Sequence, residues 1–256
     1  MIFRRAVVAG MFALLAAVAS AAAARADQSY AVEGHDVFHD GNRDVRSETV
    51  YHGVQRLTIT RSGTATVYNA QVEYDRTGDG GRQHQRASFS STLLPSGEQR
   101  DGPGSDPDYL TVLNQPFAVQ LDGPTMRDLA HVRRAVPFDF PSPMTGATLH
   151  GSLRRLPDAM VGARRAMGIA FEARGPLHGA LPDRPAMQLA GTITMKGTAY
   201  YAYGTALLLA LDATLAIDGA LDDTEHRSPI SITYTRSIHS AEGKQASRIV
   251  PVPSRT

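Results

Sequence analysis

Cysteine is missing from all 256 residues, which excludes a disulfide framework, a thiol nucleophile and a lipid-accepting cysteine in one stroke. Lysine is reduced to Lys196 and Lys244, so almost all positive charge is arginine. No Gly-x-Ser-x-Gly elbow, glycine-rich phosphate loop or dinucleotide fingerprint occurs, so no catalytic residue and no cofactor is assigned. The N-terminal apolar run from Ala6 to about Ala19 falls short of the roughly 20 residues that cross a bilayer, and much of it is weakly apolar alanine.

That run has the layout of an export signal instead. Arg4 and Arg5 precede it, and small residues follow it to Ala24-Arg25-Ala26, so residues 1–26 are expected to be cleaved from a chain beginning at Asp27. The arginine pair also fits, loosely, a twin-arginine signal. Loss of Arg4, Arg5 and Arg25 turns 26 basic and 25 acidic residues into a small acidic excess. A near-neutral chain lacks the concentrated basic face of an electrostatic nucleic-acid binder. The expected product is periplasmic or secreted, with no stable membrane anchor.

Strand signals dominate what remains. Val50 to Arg61 and Thr64 to Arg76 are rich in Val, Ile, Thr and Tyr and flank Ser62-Gly63 as a hairpin, with a weaker run from Arg86 to Leu94. In Thr205 to Gly219 the odd positions Leu207, Leu209, Leu211, Ala213, Leu215 and Ile217 are apolar, while Asp212, Thr214 and Asp218 are polar. A period of two means a strand with one dry face. Its expected partner is Met187 to Tyr203, with Leu189, Ile193, Met195, Ala199 and Tyr201 on the dry side and Gly204 as the turn. Gly191 and Gly197 fall on that dry side, where glycine marks a bend or a bulge. Val161, Met167, Ile169, Phe171 and Ala173 continue the rule upstream, and Ile230, Ile232, Tyr234 and Ile238 continue it downstream. Strands this long coil or close into a barrel.

Thr125 to Val132 is the one helical segment, with Thr125 as its cap; Pro137 to Pro143 must be extended. The domain plan is a signal peptide (1–26), a flexible N-terminal segment (27–46), a single antiparallel β domain (47–240) and a disordered tail (241–256). The predicted fold is mainly β, a long curved antiparallel sheet with one short helix, the alternative being a β-sandwich. In architecture it resembles the half-barrels of periplasmic lipoprotein carriers and the lipocalin barrels, a likeness that carries over no functional residue.

Sites of chemistry are few. His35 and His39 converge on a metal only if helical, and the glycines beside them argue against a helix. Asp75 to Gly80 begins like a calcium loop, but the twelfth position is Arg86 where a glutamate should close the site, so a polar turn is expected and no metal site is assigned. Asp101, Asp106 and Asp108 read as a hydrated loop. The expected binding surface is the dry row Met167, Ile169, Phe171, Ile193, Met195, Leu207, Leu209, Leu211 and Leu215, facing a lipid or other apolar ligand. A non-catalytic module pairing with another envelope protein is the second reading, and an unrecognised hydrolase the third.

Overall fold

A computed structural model describes residues 25–62, 65–94, 99–101, 123–132, 134–141, 148–181, 184–204, 207–222, 226–241 and 249–251. Four strands occupy its first part: β1 (Arg25–Asp40), β2 (Val45–Ser62), β3 (Ala65–Gly78) and β4 (Gly81–Leu93). The short β5 (Gln99–Asp101), helix α1 (Gly123–His131), β6 (Val136–Pro141), β7 (Thr148–Arg155) and β8 (Ala159–Val161) follow. Four long strands then run back and forth, β9 (Arg164–Leu181), β10 (Arg184–Ala202), β11 (Leu208–Asp222) and β12 (Arg227–Ser240), before β13 (Ile249–Pro251).

All thirteen strands belong to one antiparallel sheet that does not close. Its path is β13-β8-β9-β10-β11-β12-β1-β2-β3-β4-β5, with β7 sharing the outer edge of β9 with β8, and β6 flanking β7. Among the described residues the architecture is therefore the curved single sheet with one helix, not a two-sheet sandwich. Side chains alternate as pleating requires, as in β3, where Tyr68, Ala70, Val72 and Tyr74 are buried and the residues between them are exposed. The buried alternates of β1–β4, β6, β7 and β9–β12 form one apolar cluster on the inner face, onto which α1 adds Met126 and Leu129.

Glycines let neighbouring strands approach closely. A Cβ on Gly197 would stand 2.6 Å from Phe171 and 2.9 Å from the Ala213 backbone, and one on Gly191 would stand 2.6 Å from Gly219, its direct partner across the ladder. Strand backbones approach this closely only where the side chain is missing, and at both positions the ladder keeps its regular register.

Three expectations need correction. Asp27 to Arg46 is not a mobile lead-in: β1 pairs along its length with β2 on one side and β12 on the other, at the middle of the sheet. Its dry row, Tyr30 and Val32, is interrupted by Gly34 and Asp36, which hides the period. The tail is not uniformly disordered either, because Ile249–Pro251 pairs with Ala159–Val161; its other residues beyond Ala241 lie outside those described. Helix α1 begins at Gly123, ahead of the predicted cap Thr125, with Pro124 in the first turn, where its lack of an N–H costs nothing.

Candidate functional site

The predicted apolar row is largely assembled. Met167, Ile169, Phe171, Ile193, Met195, Leu211 and Leu215 all lie on the inner face and are each 4% exposed or less. Leu207 is half-buried at the end of the row. Leu209 is not in the row. Pairing moves from Tyr200 opposite Ala210 to Tyr201 opposite Leu208, which leaves Leu209 as the extra residue of a bulge. The bulge reverses the parity, so Leu208 enters the inner cluster and Leu209 joins Val161, Ala166, Ala202 and Ala210 in a small second cluster. Val161 likewise leaves the Met167 row, because the turn at Gly162 separates β8 from β9.

Two features of the inner face escaped the sequence reading. The first is a set of four tyrosines, Tyr30, Tyr51, Tyr68 and Tyr74, buried in the cluster beside Tyr201 and Tyr234, which the period of two places there. Burial raises the Tyr68 and Tyr234 hydroxyls to about 12. The second is Arg236, 1% exposed, at the position of β12 where the dry parity calls for an apolar residue. Its guanidinium bonds Asp36 and the Thr235 carbonyl, lies against Gly34, and faces the rings of Tyr51 and Tyr234 at 5.3 and 5.7 Å. Tyr51 is hydrogen-bonded to Asp36 as well, and its hydroxyl is pushed far up, first by burial and then by that carboxylate. The sequence signal was a lone arginine in an apolar row.

Space for a ligand lies at the Met167 end. A cavity of about 180 Å³ opens between α1 and the ends of β9 and β10, walled by Met126, Ala130, Met167, Tyr201 and Ala202, with Arg127, Tyr203 and Gly204 completing its lining. That is close to the ~150 Å³ of an engineered apolar cavity that takes up benzene. Gly204, at φ 82°, turns the chain here, and nothing lies within 4 Å of where its Cβ would be.

A polar network holds the helix at this cavity. Arg155 donates to the Ala130 carbonyl in the last turn of α1 (2.6 Å), to Asp158 (2.8 Å) and to the Tyr203 hydroxyl (3.1 Å). Tyr203 in turn donates to Asp158 (2.7 Å), and Arg165 bonds the other oxygen of that carboxylate (2.7 Å) while its guanidinium sits 5.7 Å over the Tyr203 ring. Burial works against ionisation of Asp158, but the hydrogen bonds from Tyr203, Arg155 and Arg165 outweigh it and hold its pKa below the usual carboxylate value. A depressed carboxylate contributes stability that is present above its unfolded pKa, near 4, and is lost as pH falls through its folded pKa. Asp158→Asn is therefore expected to lower the urea midpoint at pH 7 and to flatten its decline between about pH 5 and 3. Parallel acid limbs in the variant and the parent would exclude this role for the carboxylate.

The other candidate clusters form no metal-holding group among the described residues. His35 and His39 lie on a strand, where four residues span about 13 Å. Each meets its own carboxylate, Glu48 at 3.1 Å and Asp44 at 3.4 Å. The Asp75 carboxylate is taken up across the β3–β4 hairpin by Arg82 (2.6 Å) and His84 (3.1 Å), as suits a polar turn. Asp101 lies in β5, and Asp106 and Asp108 fall outside the described residues. Ser237 contacts both Asp212 (2.7 Å) and His239 Nε2 (2.8 Å), but this is not a nucleophile triad. The acid should orient the histidine through its other nitrogen, and His239 Nδ1 is buried without a hydrogen-bond partner.

No family model matches the chain, and no curated protein matches it. Among solved structures it is similar, at 9% identity, to a DUF1329 family protein from Desulfovibrio piger ATCC 29098. The alignment covers 86% of this chain and 88% of that one, with a TM-score of 0.16.

Proposed function

We propose that the protein is exported and carries a small apolar or amphipathic molecule, held between α1 and the inner face of the sheet. The observation that carries this reading is the cavity under the helix. Elsewhere the predicted row packs as ordinary core, whereas at Met167 the same face meets open space lined by apolar side chains. Cleavage after Ala26 would take from β1 its first two residues, Arg25 and Ala26, which pair with Thr60 and Ile59. It leaves the paired residues from Asp27 onward intact, including the Asp27 carboxylate that accepts a bond from Thr58 (2.7 Å).

Native mass spectrometry of the chain from Asp27, purified without detergent from its own envelope, tests the reading. Added mass that dissociates as a lipid or other small amphiphile is the expected result. Ala130→Phe, which projects a ring into the cavity from a half-buried helix position, is expected to abolish that mass with little change in melting temperature. A bare mass for the parent chain, or a mass matching a second protein, would replace carriage with the interaction-module reading.

A further inference from the structure

The cavity also indicates what its occupant looks like. We infer that it accepts an anionic amphiphile with a short apolar chain, the chain lying against Met126 and Met167 and the anionic head meeting Arg127 at the mouth. This inference rests on the carriage reading and names the class of ligand.

Charge supports it first. Of the described residues lining the cavity, Arg127 alone is charged, and it is exposed to solvent on α1 with no ion pair or hydrogen bond to another described residue. The neighbouring Asp128 is not part of the lining. The nearby carboxylate, Asp158, is already bound by two arginines and a tyrosine hydroxyl, and its side chain is only 10% exposed. Among the described residues that line the cavity or bond its lining, three arginines therefore face a single acid, and the acid is fully engaged. A cationic head would meet repulsion there, and a neutral head would leave the Arg127 charge unused.

Shape supports it next. Tyr203 is 46% exposed, yet its hydroxyl and ring are both held, so a fixed amphipathic surface separates the apolar walls from water. Arg155 fixes the last turn of the helix through Ala130, in the same lining as Arg127 and Tyr203. Its Nε is buried and without a hydrogen-bond partner, a further donor close to this wall. A volume near 180 Å³ holds a short chain, on the order of six or seven methylene groups at their usual packed volume, and a longer one must project past Gly204.

The test uses the chain from Asp27 with methyl-¹³C methionine, titrated with octanoate, 1-octanol and octyltrimethylammonium at pH 7.5. Met126 and Met167 both line the cavity, so their methyl signals localise binding. Octanoate is expected to shift those two signals with an affinity about fivefold or more above that of octanol, and octyltrimethylammonium to bind weakest. Arg127→Gln, at an exposed site, is expected to bring octanoate down to the octanol value and leave octanol unchanged. Equal affinities for the three heads, or an octanoate preference that survives Arg127→Gln, would overturn the anionic assignment while the cavity stands as a binding site. If none of the three shifts Met126 or Met167, the carriage reading falls with it.

Discussion

Asp36→Ala is expected to destabilise the protein by about 3–5 kcal/mol, the usual cost of breaking a buried charge pair from one side. In a domain of this size that corresponds to a fall of roughly 6–20 °C in melting temperature. The variant takes from Arg236, 1% exposed at the centre of the inner face, the carboxylate that Nη1 bonds, and removes the acceptor of the Tyr51 hydroxyl as well. Arg236→Met should cost a comparable amount, since it leaves Asp36, only 13% exposed, among tyrosines. The pair Asp36→Val with Arg236→Met should recover most of the loss, because a buried ion pair replaced by apolar side chains is often close to neutral. Urea denaturation of the parent, Asp36→Val, Arg236→Met and the pair completes the cycle. Single variants each costing less than about 1 kcal/mol, or losses that simply add in the double variant, would show the pair to be incidental to stability.

Gly197→Ala is the second large effect. The added methyl would meet the Asp212 carbonyl, the Ala213 Cα at 2.9 Å and the Phe171 ring at 2.6 Å. The ring can turn, but the two backbone atoms belong to the neighbouring strand and move only if the ladder opens. Overpacking of a core typically costs about 1–3 kcal/mol, and a clash with the backbone of a neighbouring strand belongs at or above the top of that range. Gly204→Ala is a useful contrast. Nothing surrounds its Cβ position, so its cost comes from φ alone, and it should lose about 1 kcal/mol. Thermal unfolding of the two variants separates the mechanisms. Equal losses would mean that the close approach at Gly197 relaxes without effect.

The residues on and around Arg236 also explain which parts of the fold were legible. Wherever a dry row meets another dry row, as in β9, β10 and β11, the period of two is visible in each strand alone, and these strands were placed from sequence. β1 was missed because its dry row contains Gly34 and Asp36, opposite Arg236 and Tyr234 on β12. Gly34 leaves room for the guanidinium and Asp36 neutralises it. Each strand breaks its own pattern to satisfy the other, and such a break reads as a loop until the partner is known. Leu209 was misplaced for a related reason: a bulge is a property of two strands, and β11 alone gives the same alternation with or without it. The cavity was partly legible. Met167 was named from its parity, but Arg127, Tyr203 and Arg155 come from three different elements with no spacing to connect them.

The pairing of β1 with β12 has a consequence for how the chain reaches this structure. Asp36 and Arg236 are 200 residues apart, and the seam they occupy joins one run of consecutive hairpins, β1 to β4, to another, β9 to β12. Each run can zip up locally, but the seam waits until nearly the whole sequence is available, and a contact so distant in sequence slows folding. Until it forms, one side of β1 and one side of β12 are long unpaired strand edges, complementary to each other in register and in charge. A second unfinished copy offers the same two edges, so crowded refolding favours exchange of halves between chains, and dilution favours the monomer.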